Sequence, residues 1–310
     1  NFLIEIANNL FGQGFLNFQN IFLPVGISFF VFQSMSYTID ICRGQLKPLN
    51  NWADYLFYLS FFPQLVAGPI VKARDFMPQI RQKPIVVTRE MFGMGVFLIL
   101  IGLFKKAVIS DYISLNFVDR IFDEPLLYSG FECLMGIYGY ALQIYCDFSG
   151  YSDMAIGIAL LLGFRFPKNF DAPYKSATIT EFWRRWHISL STWFRDYVYI
   201  PLGGNRVSRG KWVRNILVVW GLTGLWHGAD WNFLLWGLYY GVLLLIEKLW
   251  LGKYLERLPK ALRWLLCMII VCIGWVMFNL TDFVQMRCAL ARMFSFTHVA
   301  LSQSLAADVS

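Results

Sequence analysis

Apolar residues in this chain gather in long runs separated by short polar stretches. A membrane-crossing helix needs about 20 mostly apolar residues. Runs of that kind fall at 21–41, 53–70, 91–110, 130–146, 148–164, 212–227, 231–250 and 262–280. The pattern therefore predicts an all-α, polytopic membrane protein with roughly eight spans, several of them short or interrupted. The second run contains Phe61-Phe62-Pro63-Gln64-Leu65-Val66-Ala67-Gly68-Pro69, two prolines and a glycine at membrane depth. Backbone can leave the helix there only where protein or a water-filled cavity covers it. A re-entrant element facing something other than lipid and a tolerated kink are the two readings.

A polar island lies between the fifth and sixth runs. On a helix at about 100° per residue, Phe182, Trp186, Leu190, Trp193 and Tyr197 fall within about 80° of one another. Trp183 and Phe194 widen that arc to about 120°. Glu181, Arg184, Arg185, Arg195 and Asp196 fall opposite, with Ile188 as an exception. The expectation is an interfacial amphipathic helix over 180–200 with its aromatics at the headgroup level. His187 sits about 20° beyond the edge of the apolar arc.

Composition sharpens this reading. Of 310 residues, 57% are apolar, 18% aromatic and only 15% charged, with a mean hydropathy of +0.50. A soluble domain carries about 25% charge, and a disordered chain would be poor in apolar residues. Six cysteines, with no C-x-x-C pair and most inside apolar runs, read as buried thiols. Residues 165–214 hold ten Lys or Arg against three acids, a net +7 that equals the formal charge of the whole chain. Such a basic stretch reads as cytoplasmic, so the charge reports topology and does not imply nucleic acid. The chain begins at Asn1, ends in a polar run and shows no signal-peptide pattern, so it reads as one membrane domain over 1–310 cut from a longer protein.

Candidate chemistry is sparse. The stretch Gly224-Leu225-Trp226-His227-Gly228-Ala229-Asp230-Trp231-Asn232 joins two apolar runs, with Gly228 expected as a left-handed helix end and Asp230 as the next helix's N-cap. An ionisable residue near membrane depth is costly and marks function by default; a His capping helix carbonyls is the plain alternative. For His187 the alternative is an interfacial His in a structural hydrogen bond. Tyr145-Cys146-Asp147-Phe148-Ser149-Gly150-Tyr151-Ser152-Asp153 sets two carboxylates among apolar residues. They could orient a His, pair a cation or carry a proton, or the Ser and Gly could serve close helix packing. His298, in a polar tail, is assigned no role. There is no nucleophile elbow, H-E-x-x-H or P-loop, and three scattered His make no metal site. A neutral imidazole held near an alcohol can act as a general base, so acyl transfer would need no Ser or Cys nucleophile. A transporter or channel with a His and Asp proton relay is the competing class.

These stretches, together with Phe182-Trp183-Arg184-Arg185-Trp186-His187-Ile188-Ser189-Leu190-Ser191 and Arg195-Asp196-Tyr197-Val198-Tyr199-Ile200-Pro201-Leu202-Gly203-Gly204-Asn205, resemble the membrane-bound O-acyltransferase family, most closely its bacterial alginate O-acetyltransferase branch. The resemblance spans about residues 20 to 280. It implies a ring of membrane helices, with re-entrant and interfacial helices, around a central tunnel. It implies that His227 is the catalytic His and His187 the second important one. His227 would act as base on the accepting hydroxyl or a relay group, and His187 would position the thioester or stabilise charge. Asp147, Trp226 and Asn232 would orient or support, and Arg184 and Arg185 would contact donor phosphates. The donor would be acetyl-CoA or another cytoplasmic thioester, with no bound cofactor. The acceptor would be an extracytoplasmic polysaccharide hydroxyl, reached with a periplasmic or surface acetyltransferase partner, at the bacterial inner membrane. The basic face would suit lipid headgroups as well as an anionic donor. Within the same family, D-alanyl transfer to teichoic acid from a carrier-protein thioester shares both His motifs. A non-catalytic scaffold for surface acyltransferases is a further alternative.

Overall fold

The computed structural model describes residues 2–12, 14–18, 26–82 and 84–295, and these are helical, with no strand among them. His298 and the first residues of the run at 21–41 lie outside the described residues. The helices, in chain order, are α1 Phe2–Phe11, α2 Ile27–Cys42, α3 Trp52–Ser60 and α4 Ala73–Arg81, then α5 Arg89–Asp123 and α6 Gly130–Leu161. There follow α7 Ile179–Arg185, α8 Ile188–Phe194, α9 Arg209–His227, α10 Trp231–Leu255, α11 Lys260–Asn279 and α12 Phe283–Met293.

Among the described residues, α5, α10 and α11 are long and apolar enough to cross a membrane, at 35, 25 and 20 residues. The other predicted runs fold differently. The runs at 130–146 and 148–164 are one 32-residue helix, α6. Its polar middle does not break it, because neighbouring side chains satisfy that middle. Lys105 Nζ reaches Asp153 at 2.7 Å and Lys106 pairs with Asp147, both lysines lying where α5 widens into a π-type turn over Phe104–Ser110.

Glycines set the α5–α6 spacing. A β-carbon on Gly102 would stand 2.5 Å from the Gly150 carbonyl oxygen, and one on Gly157 would stand 2.6 Å from that of Gly95. The two backbones thus touch at two points seven residues apart on each helix. This is small-residue packing of the kind that joins helices in lipid, and it gives the run around Gly150 a packing role.

The run at 53–70 is also broken. Helix α3 ends at Ser60, a tight turn covers Phe62–Gln64, and the chain then runs irregularly to Lys72. Gln64, Ile70, Val71 and Lys72 are buried, and Ile70 packs with Leu190, Trp193, Phe194 and Tyr197. Its N–H donates to Ser189 Oγ at 3.0 Å. Irregular backbone is tolerated here because protein covers it. The break therefore braces the island that carries His187.

Adding a side chain at the α5–α6 crossing should force the helices apart. Gly150→Leu is expected to cost about 1–3 kcal/mol from overpacking, read as a lower melting temperature in detergent. Gly93→Leu, on the open side of α5 where an added β-carbon meets nothing within 4 Å, should leave it unchanged.

Candidate active site

The island does not form the single interfacial helix that its periodicity predicts. Helix α7 stops at Arg185, and His187 takes a left-handed backbone conformation, φ 45°, before α8 begins. For a residue other than glycine this conformation costs of order 1–3 kcal/mol and persists where the surroundings impose it. They do so through two backbone hydrogen bonds. Asp171 N–H donates to the Arg185 carbonyl and Ile188 N–H to the Asn169 carbonyl, both at 2.9 Å. The apolar arc also faces protein and not headgroups: Phe182, Trp186, Leu190, Trp193 and Tyr197 are all buried. Five aromatic or aliphatic side chains on one face suit a protein core as well as an interface, and periodicity cannot tell the two apart.

His187 is 2% exposed. Its Nδ1 is hydrogen-bonded to Asn169 Oδ1 at 3.1 Å, while Nε2 is buried without a partner among the described residues. Phe148 meets the ring edge-on, with centroids 4.6 Å apart.

His227 ends α9. Gly224 and Gly237 let α9 and α10 approach closely, a β-carbon on Gly237 standing 3.1 Å from Gly224 Cα. Gly228 is extended, φ 176°, and is not the left-handed cap expected from sequence. Glycine fits there because a β-carbon would collide with the Phe233 ring. Asp230 does cap α10, accepting from Trp231 N–H at 2.6 Å. Trp226 lies between the histidines, 5.9 Å from the His187 ring and 4.8 Å from the His227 ring by centroids. Among the described residues its Nε1 has no partner, and the Asn232 amide is fully buried with neither polar atom partnered.

Both histidines line one cavity of about 240 Å³. Trp183, Trp186 and Trp220 make apolar walls, and Arg184, Arg195 and Lys248 supply positive charge. Arg184 and Lys248 lie close enough to repel one another, while the neighbouring Glu247 carboxylate attracts Lys248, and neither cation makes a salt bridge among the described residues. Two such cations beside an apolar cavity favour an anionic head on a less polar tail. Arg195 is paired with Asp196, Nε to Oδ1 at 2.8 Å. Burial works to raise the Asp196 carboxyl, but hydrogen bonds and charge from Arg195 and Lys72 hold it at about 2.

Two predicted site residues lie elsewhere. Asp147 orients neither histidine: its carboxylate is half exposed on α6 and pairs with Lys106. Arg185 is absent from the cavity wall, because its guanidinium is tied to Glu181 at 3.0 Å and to Asp171 at 3.5 Å. Asn169, Arg195 and Lys248 were not singled out by sequence. Lys248 looked like the flank of an apolar run, Arg195 like the solvated face of a helix, and Asn169 carries no motif signal. Among the described residues no cluster of three or more His, Cys, Asp or Glu could hold a metal ion.

The two adjacent arginines should therefore behave differently. Arg185→Ala loses its ties to Glu181 and Asp171 and is expected to cost roughly 1 kcal/mol, about 2–4 °C in melting temperature. Arg184→Ala should leave the melting temperature unchanged in the same assay.

Comparison with known proteins identifies the family. The sequence profile of the membrane-bound O-acyltransferase family matches residues 45–290. The chain is 43% identical over 286 residues to the probable alginate O-acetylase AlgI of Azotobacter vinelandii, covering 91% of this chain and 56% of that protein. It is 36% identical over 321 residues to a peptidoglycan O-acetyltransferase of Helicobacter pylori, 94% of this chain and 61% of that one. It is 31% identical over 286 residues to a teichoic acid D-alanyltransferase of Bacillus subtilis, 84% and 70% respectively. The chain thus spans a little over half the length of the AlgI relative. With a family profile that covers most of its length and relatives of this similarity, the chain belongs to the membrane-bound O-acyltransferase family.

Proposed function

We propose that this chain is the catalytic portion of a bacterial membrane O-acetyltransferase that moves an acetyl group from a cytoplasmic thioester, acetyl-CoA, toward a hydroxyl of an extracytoplasmic polysaccharide such as alginate. The observation that carries the reading is the shared cavity, with two histidines and the cations Arg184 and Lys248 in its wall. The similarity to an alginate O-acetylase supports the polymer assignment. In a multi-pass protein of the inner membrane, the cations would hold the donor's phosphates and the aromatic walls its less polar arm. An extracytoplasmic acetyltransferase partner would complete delivery to the polymer.

The reaction needs one proton moved and one bond exchanged. His227 takes the proton from the accepting hydroxyl. The freed oxygen attacks the thioester carbonyl carbon, the C–S bond breaks, and the thiolate recovers the proton from the imidazolium. His187 acts beside it on the bound groups. Apolar walls exclude water, which would otherwise hydrolyse the thioester. Trp226 fixes the spacing of the two rings. D-alanyl transfer from a carrier protein uses the same chemistry, and the 31% identity to the Bacillus subtilis enzyme is what favours it as the second reading.

Purified full-length protein offered labelled acetyl-CoA should pass label to an acceptor or partner. His227→Ala should lower the rate by about 10²–10⁴-fold, the usual worth of a general base, while still folding. Retained transfer would sink the assignment, and turnover only with a D-alanyl carrier protein would move the chain to the second reading. Arg184→Glu should raise the apparent KM for the donor with little change in kcat.

A further inference from the structure

The surroundings of Asn169 restrict what His187 can do. Asn169 is 1% exposed and sits in the irregular segment after α6. Its Oδ1 accepts from Ser189 N–H at 3.2 Å and from Ser189 Oγ at 2.9 Å, and its Nδ2 donates to Ser152 Oγ at 3.0 Å. The orientation of an amide is normally ambiguous, since its oxygen and nitrogen look alike. Here it is forced. A backbone N–H can only donate, so the amide atom facing Ser189 N must be the oxygen; turning the group over would oppose two donors.

That oxygen is also the atom facing His187 Nδ1 at 3.1 Å. An amide oxygen offers no hydrogen, so Nδ1 must carry one. In a neutral imidazole the other nitrogen, Nε2, then holds a lone pair. Nε2 is buried with no partner among the described residues, and His187 lines the cavity that also contains His227. A buried acceptor without a partner is costly unless the site's contents supply one.

We infer that Asn169 is a positioning residue that locks His187 as the Nδ1–H tautomer, so that Nε2 accepts a hydrogen bond from an O–H, N–H or S–H group in the cavity. Neutral His187 is then unable to donate to the thioester carbonyl or to an oxyanion formed from it. Its partner is a hydrogen-bearing group: the accepting hydroxyl, an amide N–H of the donor's arm, or the thiol of the coenzyme A left after transfer. Asn169 has a second hold on the ring, because its own carbonyl accepts from Ile188 N–H and helps maintain the left-handed backbone at His187. Ser189 extends the support, accepting from Ile70 N–H in the buried break after α3. This inference rests on reading the cavity as the site of acyl transfer, but its test does not.

The chain contains three histidines, so ¹⁵N-histidine labelling of the full protein gives a readable spectrum, assigned with His187→Gln and His227→Gln. The expected His187 signature is a protonated Nδ1 and an unprotonated Nε2 at neutral pH. A protonated Nε2 would overturn the inference. Asn169→Asp keeps an acceptor and should keep the signature; Asn169→Leu removes it and should populate the Nε2–H form. An unchanged signature in Asn169→Leu would remove Asn169 from this role. If that variant fails to fold, the wild-type and Asn169→Asp spectra still decide. Adding coenzyme A or an alginate oligosaccharide separately should move the Nε2 signal with whichever supplies the hydrogen, and no movement with either would contradict an Nε2 open to bound groups. Loss of the functional reading shows up differently, as transfer that survives His187→Gln while the tautomer stays as predicted.

Discussion

His187 holds a backbone conformation that a residue with a side chain rarely adopts, and two strands of chain are pinned together to keep it there. Hydrogen bonds from Asp171 to Arg185 and from Ile188 to Asn169 close the gap between α7 and α8. At that closure the amphipathic sequence is interrupted, with Trp186 extended and His187 left-handed. The break lets α7 present Trp183 and Arg184, and α8 present Ser191 and Phe194, to the same cavity. The buried turn after α3 meets α8 from the far side through Ile70 and Ser189. Much of the site's geometry follows from this one interrupted helix.

The second half of the site is simpler in origin. Helices α9 and α10 form a close pair because Gly224 and Gly237 let their backbones meet, and His227 lies at the end of α9 beside that contact. Trp226 then spans the gap to His187, packed by Phe29 and Phe32 at centroid distances of 5.6 and 5.7 Å. The two histidines thus come from separate elements and meet through aromatic packing. Charge is arranged more selectively. Lys72, Arg74 and Arg195 are engaged by Asp196 and Arg185 by Glu181 and Asp171, whereas Arg184 and Lys248, next to the cavity, make no salt bridge among the described residues.

Sequence pattern reports some parts of this structure and misses others. Long apolar runs gave α10 and α11 closely, and Asp230 marked the start of α10, because both signals are local. The histidine stretches were visible as polar residues in apolar surroundings. The division of α6 into two spans failed because Asp147 and Asp153 look like a boundary until Lys105 and Lys106 of α5 are placed opposite them. The single helix over 180–200 failed because the bonds that break it come from Asn169 and Asp171, which no periodicity within the helix reports. Arg184 and Arg185 were indistinguishable for the same reason: what separates them is whether an acid stands nearby in space. Asn169 illustrates the limit, a polar residue between Lys168 and Phe170 whose meaning depends wholly on the side chains it meets.

The central claim is that the thioester's acyl group lies in the cavity shared by His187 and His227. A photoreactive acyl-CoA analogue, crosslinked to the complete purified protein and mapped by mass spectrometry, tests it directly. The account predicts labelled peptides from 180–195 and 219–227, protected by excess acetyl-CoA. Labelling confined to the separate apolar cavity lined by Leu251, Tyr254 and Leu266, with none on the histidine segments, would contradict it.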